Sequence, residues 1–231
     1  KLLSKAKFPV ILSGAGVVLG GAIDECKKLA EKLDAPVCNG YQHNDSFPGS
    51  HPLAVGPLGY NGSKAAMELI SKADVVLALG TRLNPFSTLP GYGIDYWPKK
   101  ATIIQVDMNP DRIGLTKKVS VGICGDAKQV AQQILDKLSS DAGNTGREER
   151  KNLIHQTKSA WLQTLSGLDH EEDDPGTVWN KEARERDKDR MSPRQAWRAI
   201  QDALPQDAII SSDIGNNCAI GNAYPTFEKP R

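Results

Sequence analysis

Residues 74–80 read Asp-Val-Val-Leu-Ala-Leu-Gly. Five apolar residues follow one another without a polar residue between them, and Gly80 ends the run. Such a run is typical of a parallel strand covered on both faces, because a strand with one face in water alternates apolar and polar residues. This stretch therefore predicts a buried strand inside an α/β sheet.

Further apolar runs flank this stretch on both sides. They predict strands at residues 10–13, 36–38, 102–106 and 119–124. Between the runs, apolar side chains recur at helical spacing, and Ser63 and Asp126 stand where helix N-caps are expected. Strands that alternate with helices predict an open parallel sheet with helices on both faces. We therefore expect residues 1–138 to form a central α/β domain.

The composition changes over residues 139–190, which we interpret as a charged linker. Ser, Asp, Gly and Asn dominate residues 139–146, and residues 147–165 are predicted to form one amphipathic helix. Residues 181–190 carry dense charges of both signs. Mixed charge of this kind favours a solvated connector over a binding surface.

A second unit begins after the linker, at residues 191–231. Ser192, Pro193 and Gln195 fit a capping box at the start of a helix that we expect to end near Leu204. Residues 208–211 predict a strand that leads into a polar loop. We interpret this segment as the first helix and strand of a second α/β domain.

Bulk composition excludes several classes of function. The 29 Lys and Arg residues nearly balance the 28 Asp and Glu residues, which gives no reason to expect nucleic acid or a membrane surface as a partner. The four cysteines form no Cys-x-x-Cys pair, so we expect neither a zinc site nor disulfides but free thiols in a cytoplasmic protein. The chain starts without Met and ends without a closing element, so we expect both ends to be internal to a longer protein.

The glycine turn after the first strand invites a dinucleotide interpretation. Gly14, Gly16 and Gly20 would let a backbone approach a phosphate at a helix N-terminus. The fingerprint is incomplete, since Leu19 stands where its third glycine belongs and no acidic residue ends the next strand. We therefore favour a tight turn that binds no ligand.

Other polar positions have structural interpretations beside functional ones. Asp107 ends a predicted strand, where it can bind a ribose hydroxyl or cap the turn at Asn109, and we favour the cap. His43 stands alone, without a second ligand at metal-binding spacing. The aromatic residues of the loop at 84–97 either line a pocket or pack between subunits, and the sequence leaves this open.

The candidate binding residues are Gly215, Asn216 and Asn217, after the last predicted strand. Gly215 permits a sharp turn, and the two Asn side chains offer neutral donors to a phosphate. An ordinary turn at a strand end uses the same residues. Local chemistry supports the two interpretations equally.

The order of these motifs resembles the thiamine-diphosphate-dependent enzymes. The resemblance is carried by residues 7–16, 73–82, 104–107, 125–127 and 213–216. It implies that the chain contains the central domain of such an enzyme and the beginning of its C-terminal, diphosphate-binding domain. Each motif alone is weak, whereas their order along nearly the whole chain is specific.

Loop segments point to one branch of that family. Residues 43–48, 50–53, 56–60, 62–67 and 95–98 are similar to the branch that acts on sulfoacetaldehyde. Agreement across loops is specific, since relatives usually diverge there. The resemblance implies that the full-length protein converts sulfoacetaldehyde and phosphate to acetyl phosphate and sulfite, as a homodimer or homotetramer.

The same resemblance implies thiamine diphosphate and Mg²⁺ as cofactors, both of which need parts outside this chain. The family's activating glutamate belongs to its N-terminal domain, and its Gly-Asp-Gly motif for magnesium is expected after Arg231. Residues 125–127 read Gly-Asp-Ala and lie in the central domain, so they are not that motif. We therefore expect no catalytic residue and no metal ligand here. Gly215, Asn216 and Asn217 are the expected diphosphate contacts.

Two alternatives stay open. One is an acetolactate synthase-like carboligase whose central domain binds FAD. The other is a non-catalytic module that binds a nucleotide at the Gly14 turn. The incomplete glycine fingerprint leads us to expect no flavin.

Overall fold

The apolar runs form one parallel sheet of six strands. The computed structural model describes residues 1–169, 190–205, 207–213 and 215–229. The strands are β1 (Pro9–Ser13), β2 (Val37–Asn39), β3 (Ala54–Pro57), β4 (Val75–Leu79), β5 (Thr102–Asp107) and β6 (Val121–Cys124). Their order is β3-β2-β1-β4-β5-β6, and each neighbouring pair is parallel. This confirms the predicted fold class.

Alternate residues of the central strands face opposite sides of the sheet. In β4, Val75, Leu77 and Leu79 join one buried cluster, whereas Val76 and Ala78 join the other. Both clusters are apolar because helices cover both faces, which explains why the run at 75–79 has no polar alternation.

Helices on both faces follow the predicted patterns. The helices before the linker are α1 (Leu2–Lys5), α2 (Ala15–Leu19), α3 (Ile23–Leu33), α4 (Lys64–Ile70) and α5 (Ala127–Lys137). Apolar residues of α3 and α5 pack on one face, and those of α4 pack on the other. Ser63 caps α4 by accepting from the Ala66 N–H, and Asp126 caps α5 by accepting from the Gln129 N–H. Both predicted caps are confirmed.

A long helix, α6 (Arg147–Asp169), packs by its first turns on the sheet domain. Ile154 is buried in the same apolar cluster as α4. Arg150 is 1% exposed and donates hydrogen bonds to five backbone carbonyls. The core of the sheet domain therefore receives side chains from residues predicted as linker. The division at residue 138 stays a prediction, and residues 170–189 lie outside the described residues.

The last described segment contains α7 (Pro193–Ala203) and α8 (Asn216–Ala223). Ser192 Oγ accepts from the Gln195 N–H at 3.1 Å, and Gln195 Oε1 accepts from the Ser192 N–H at 2.9 Å. This confirms the predicted capping box and the helix that follows it.

Two strand predictions need correction. Residues 208–211 do not form the predicted strand, and Ile209 is 87% exposed. A strand needs a neighbour for its backbone groups, and no strand of the described residues pairs with this segment. Conversely, β3 forms within residues 39–62, where the sequence predicted no strand. Gly56 and Pro57 discourage a strand locally, yet β3 pairs with β2 at the sheet edge, where proline is tolerated.

Candidate functional site

The glycine turn after β1 is a close crossing of two backbones. The Gly14 N–H donates to the Leu79 carbonyl at 3.1 Å, and the Gly16 N–H donates to the Gly80 carbonyl at 2.8 Å. A Cβ atom on Gly16 would lie 2.7 Å from the Gly80 Cα. Glycine is therefore required for packing, and both amides already have acceptors within the protein. This geometry supports the tight turn over a nucleotide site.

Asp107 caps the turn that follows β5. Its Oδ1 accepts from the Asn109 N–H at 2.9 Å, and Asn109 Oδ1 accepts from the Asp111 N–H at 2.9 Å. The favoured cap interpretation is confirmed.

His43 lies in the loop that joins β2 to β3. Burial lowers the pKa of His43, and the Arg82 charge lowers it further, while Asp45 acts in the opposite direction. The imidazole is thus held more firmly in its neutral form than an exposed histidine would be.

The aromatic loop at 84–97 packs largely against its own chain. The Tyr96 side chain is buried in the core, and the Tyr92 hydroxyl donates to the Gly62 carbonyl at 2.9 Å. The Phe86 ring stacks on Tyr41 with 5.8 Å between centroids, although Phe86 itself stays exposed. The loop thus covers the residues around Tyr41.

Gly215 is the N-cap of α8, and it has a positive φ of 97°. This backbone conformation favours glycine over any other residue. No side chain caps the helix, and Asn216 is exposed in its first turn. The structure therefore places Asn216 and Asn217 at the start of a helix rather than in a turn. The Asn217 side chain lies outside the described residues.

The start of α8 has donor chemistry that fits a diphosphate. Unpaired N–H groups and the positive end of the helix dipole favour an anion at a helix N-terminus. The neutral Asn216 amide adds a donor, and a glycine N-cap leaves room for phosphate oxygens, since a Cβ there would meet no atom within 4 Å. These features suit a phosphate ligand better than a metal ion.

The other end of α8 is attached to the sheet domain through Asn222. This side chain is 0% exposed, and Oδ1 accepts from the Gln42 N–H at 2.7 Å while Nδ2 donates to the Tyr60 carbonyl at 3.1 Å. Asn44 Nδ2 donates to the Asn222 carbonyl at 2.8 Å. Sequence reasoning missed Asn44 and Asn222. The available signal was Asn222, which stands among the apolar residues of 218–223. An amide that is buried with such residues needs hydrogen-bond partners.

The described residues contain neither a metal-binding cluster nor a membrane-spanning helix. No group of three His, Cys, Asp or Glu side chains there is placed to hold a metal ion. None of the helices in those ranges combines the length and the apolar character needed to cross a bilayer.

Residues 1–134 match the family model described as thiamine pyrophosphate enzyme, central domain. The chain belongs to the thiamine pyrophosphate enzyme family. Pyrophosphate here is the diphosphate of the predicted cofactor, so the family resemblance drawn from the motifs is confirmed.

Curated relatives match all or most of the chain. A probable sulfoacetaldehyde acetyltransferase of Rhizobium meliloti is 79% identical over 231 residues, which are 100% of this chain and 39% of that protein. A sulfoacetaldehyde acetyltransferase of Roseovarius nubinhibens is 76% identical over 231 residues, covering 100% of this chain and 38% of the relative. A probable acetolactate synthase large subunit of Methanocaldococcus jannaschii is 39% identical over 168 residues, which are 73% of this chain and 26% of the relative. The chain thus spans about 39% of the length of the first two relatives.

Proposed function

We propose that the full-length protein is a thiamine-diphosphate-dependent acetyltransferase that converts sulfoacetaldehyde and phosphate to acetyl phosphate and sulfite. The observation that carries the proposal is the 79% identity over the whole chain with the Rhizobium meliloti relative, against 39% over 168 residues with an acetolactate synthase. The alignment with the Rhizobium meliloti relative spans residues 215–217. It also spans the loops at 43–67 and 95–98, on which the resemblance to the acetyltransferase branch depends.

In this proposal the chain contributes three parts. Residues 1–138 form the central domain, 139–190 connect it onward, and 191–231 begin the diphosphate-binding domain. When bound, thiamine diphosphate would supply the nucleophilic carbon that the chemistry at the aldehyde requires, while the protein would supply binding and orientation. The residues Gly215, Asn216 and Asn217 bind its diphosphate through N–H groups of the first turn of α8 and through neutral amides.

The remaining parts of the active site belong to other regions and subunits in this proposal. We propose that the ligands of Mg²⁺ and the glutamate that activates the cofactor come from beyond this chain, in a homodimer or homotetramer.

The described cysteines are all free, and burial raises the pKa of Cys26 to about 12. Free thiols are typical of a reducing compartment, so we propose that the protein is cytoplasmic.

The activity assay uses the purified full-length protein with thiamine diphosphate and Mg²⁺. We expect sulfite and acetyl phosphate in equal amounts from sulfoacetaldehyde and phosphate, and no sulfite when the cofactor is omitted. Pyruvate replaces sulfoacetaldehyde in the comparison reaction. Acetolactate from pyruvate, without sulfite from sulfoacetaldehyde, would assign the protein to the other branch.

The site residues are tested by Asn216→Ala in the same protein. One neutral hydrogen bond contributes about 0.5–1.5 kcal/mol, so the Kd for thiamine diphosphate should rise about two- to tenfold. The melting temperature of the apoprotein should stay unchanged, because Asn216 is exposed. Asn152→Ala, which removes an exposed Asn from α6, is the matched control. A loss of stability without weaker cofactor binding would make Asn216 a structural residue only.

A further inference from the structure

One face of α8 rests on the loop that joins β2 to β3. Cys218 and Ala219 lie four and three positions before Asn222, so both are neighbours of Asn222 on this face. Tyr41 Oη is 3.3 Å from Cys218 Sγ, and Gln42 Nε2 is 2.6 Å from the same sulfur. The loop thus holds the first turn of the helix through Cys218 and the last through Asn222.

The two ends of α8 have opposite environments. Ala219 and Asn222 are buried, whereas Gly215 and Asn216 are exposed. The buried face fixes the direction of the helix axis, and the exposed end presents its N–H groups outward. A helix N-terminus acts on an anion only near its first turn, so the direction of the axis decides whether those groups meet the anion.

The loop that holds α8 is itself fixed to the sheet. Asn39, the last residue of β2, donates through Nδ2 to Ser46 Oγ at 3.0 Å and to the His43 carbonyl at 3.3 Å. Ser46 Oγ also donates to the carbonyl of Ser13, the last residue of β1, at 3.3 Å. Gln42 holds a positive φ of 62°, which is uncommon for a residue with a side chain. The position of α8 is therefore set by the ends of two central strands.

We propose that Asn222 is a positioning residue for the cofactor, which orients the start of α8 toward the diphosphate by fixing the end of the helix to the Gln42 and Tyr60 backbones. The inference rests on the proposed function, because it takes the start of α8 as the diphosphate site. Part of the cofactor affinity then comes from the central domain, although the proposed diphosphate contacts lie at the start of α8.

The buried amide is well suited to this task. Its two side-chain hydrogen bonds run in opposite directions, one accepted from an N–H and one donated to a carbonyl, so they fix its rotation as well as its distance. An apolar side chain of similar size would leave both backbone groups without partners inside the protein. The contact is thus specific for an amide.

The test uses the full-length protein with Asn222→Ala, with thiamine diphosphate titrated calorimetrically in the presence of Mg²⁺. We expect the Kd to rise about tenfold, a change of about 1.4 kcal/mol. The kcat at saturating cofactor should change less than about twofold, because bound cofactor restores the helix position. A residue with a structural role alone would lower the melting temperature of the apoprotein and leave the Kd unchanged at temperatures where the protein stays folded.

Ser50→Ala is the matched control. It removes the hydrogen bond from Ser50 Oγ to Glu228 Oε2 at 2.8 Å, which joins the same two parts of the chain but ends beyond α8. We expect this variant to keep the Kd of the unaltered protein. An equal rise in both variants would overturn the proposal, since it would show general loosening rather than orientation of α8.

A second variant on the other side of the contact covers the case in which Asn222→Ala fails to fold. Asn44→Ala removes hydrogen bonds to the Asn222 carbonyl and to the Pro225 carbonyl, at 2.8 and 3.0 Å. We expect it also to raise the Kd. An unchanged Kd in the folded variants would overturn the inference alone, whereas an unaltered protein without saturable binding would overturn the proposed function as well.

Discussion

Arg150→Ala removes a side chain that binds three separate segments of the sheet domain. The guanidinium donates to the carbonyls of Leu33 and Asp34 at the end of α3, of Lys7 before β1, and of Gly143 and Thr145 before α6, at 2.6–3.0 Å. Burial lowers the pKa of Arg150, but a guanidinium stays protonated in proteins. All five of its N–H donors therefore have acceptors.

The expected cost follows from these hydrogen bonds. A hydrogen bond to a charged group contributes about 1.5–3 kcal/mol, and five would not add independently, since water can enter the vacated space. We expect Arg150→Ala to lower the free energy of unfolding by about 3–5 kcal/mol. Arg150→Lys should recover little, because a compact ammonium has three donors and cannot span these carbonyls.

Urea unfolding of the 231-residue chain, followed by far-UV circular dichroism, measures this cost. With an m-value of about 2 kcal/mol per molar urea, the midpoint should fall by about 1.5–2.5 M. Arg147→Ala is the matched control on the same helix. Arg147 forms a partly exposed ion pair with Asp34, which should contribute less than about 1 kcal/mol. Equal midpoints for the Arg150 and Arg147 variants would refute the reasoning.

Three further predictions concern the helix caps and the cofactors. Ser192→Ala should lower the free energy of unfolding by about 1 kcal/mol, because it removes the cap of α7. Ser192→Thr keeps a hydroxyl and should cost less. Unfolding midpoints measure both variants, and equal losses of stability would contradict a capping role. The purified full-length protein should show no absorbance band at about 450 nm, where flavins absorb; such a band in the undenatured protein would favour the FAD-binding alternative. The 231-residue chain alone should show no saturable heat with thiamine diphosphate and Mg²⁺. Two or three amide contacts of about 0.5–1.5 kcal/mol each do not offset an immobilisation cost of about 4 kcal/mol or more; micromolar binding would show that the cofactor site lies elsewhere.

Local patterns were sufficient for the central strands of the sheet and for the helix caps. The run at 75–79 predicted a strand covered on both faces, because burial on two sides removes the polar alternation. Ser192 and Gln195 predicted their own contact, since a capping box joins residues only three positions apart. Both features arise from neighbours in the chain, so the residues that cause them stand side by side in the sequence.

Contacts between distant residues were decided by the tertiary structure alone. β3 forms despite Gly56 and Pro57 because β2 offers it a pairing edge, and residues 208–211 stay unpaired because no described strand lies beside them. Nothing in the local sequence distinguishes Arg150 from the other charged residues of α6, yet it bonds to carbonyls up to 143 residues away. Asn222 meets Gln42 across 180 residues. A polar side chain carries the same local signature whether water or a distant carbonyl is its partner, so only the folded chain distinguishes the two.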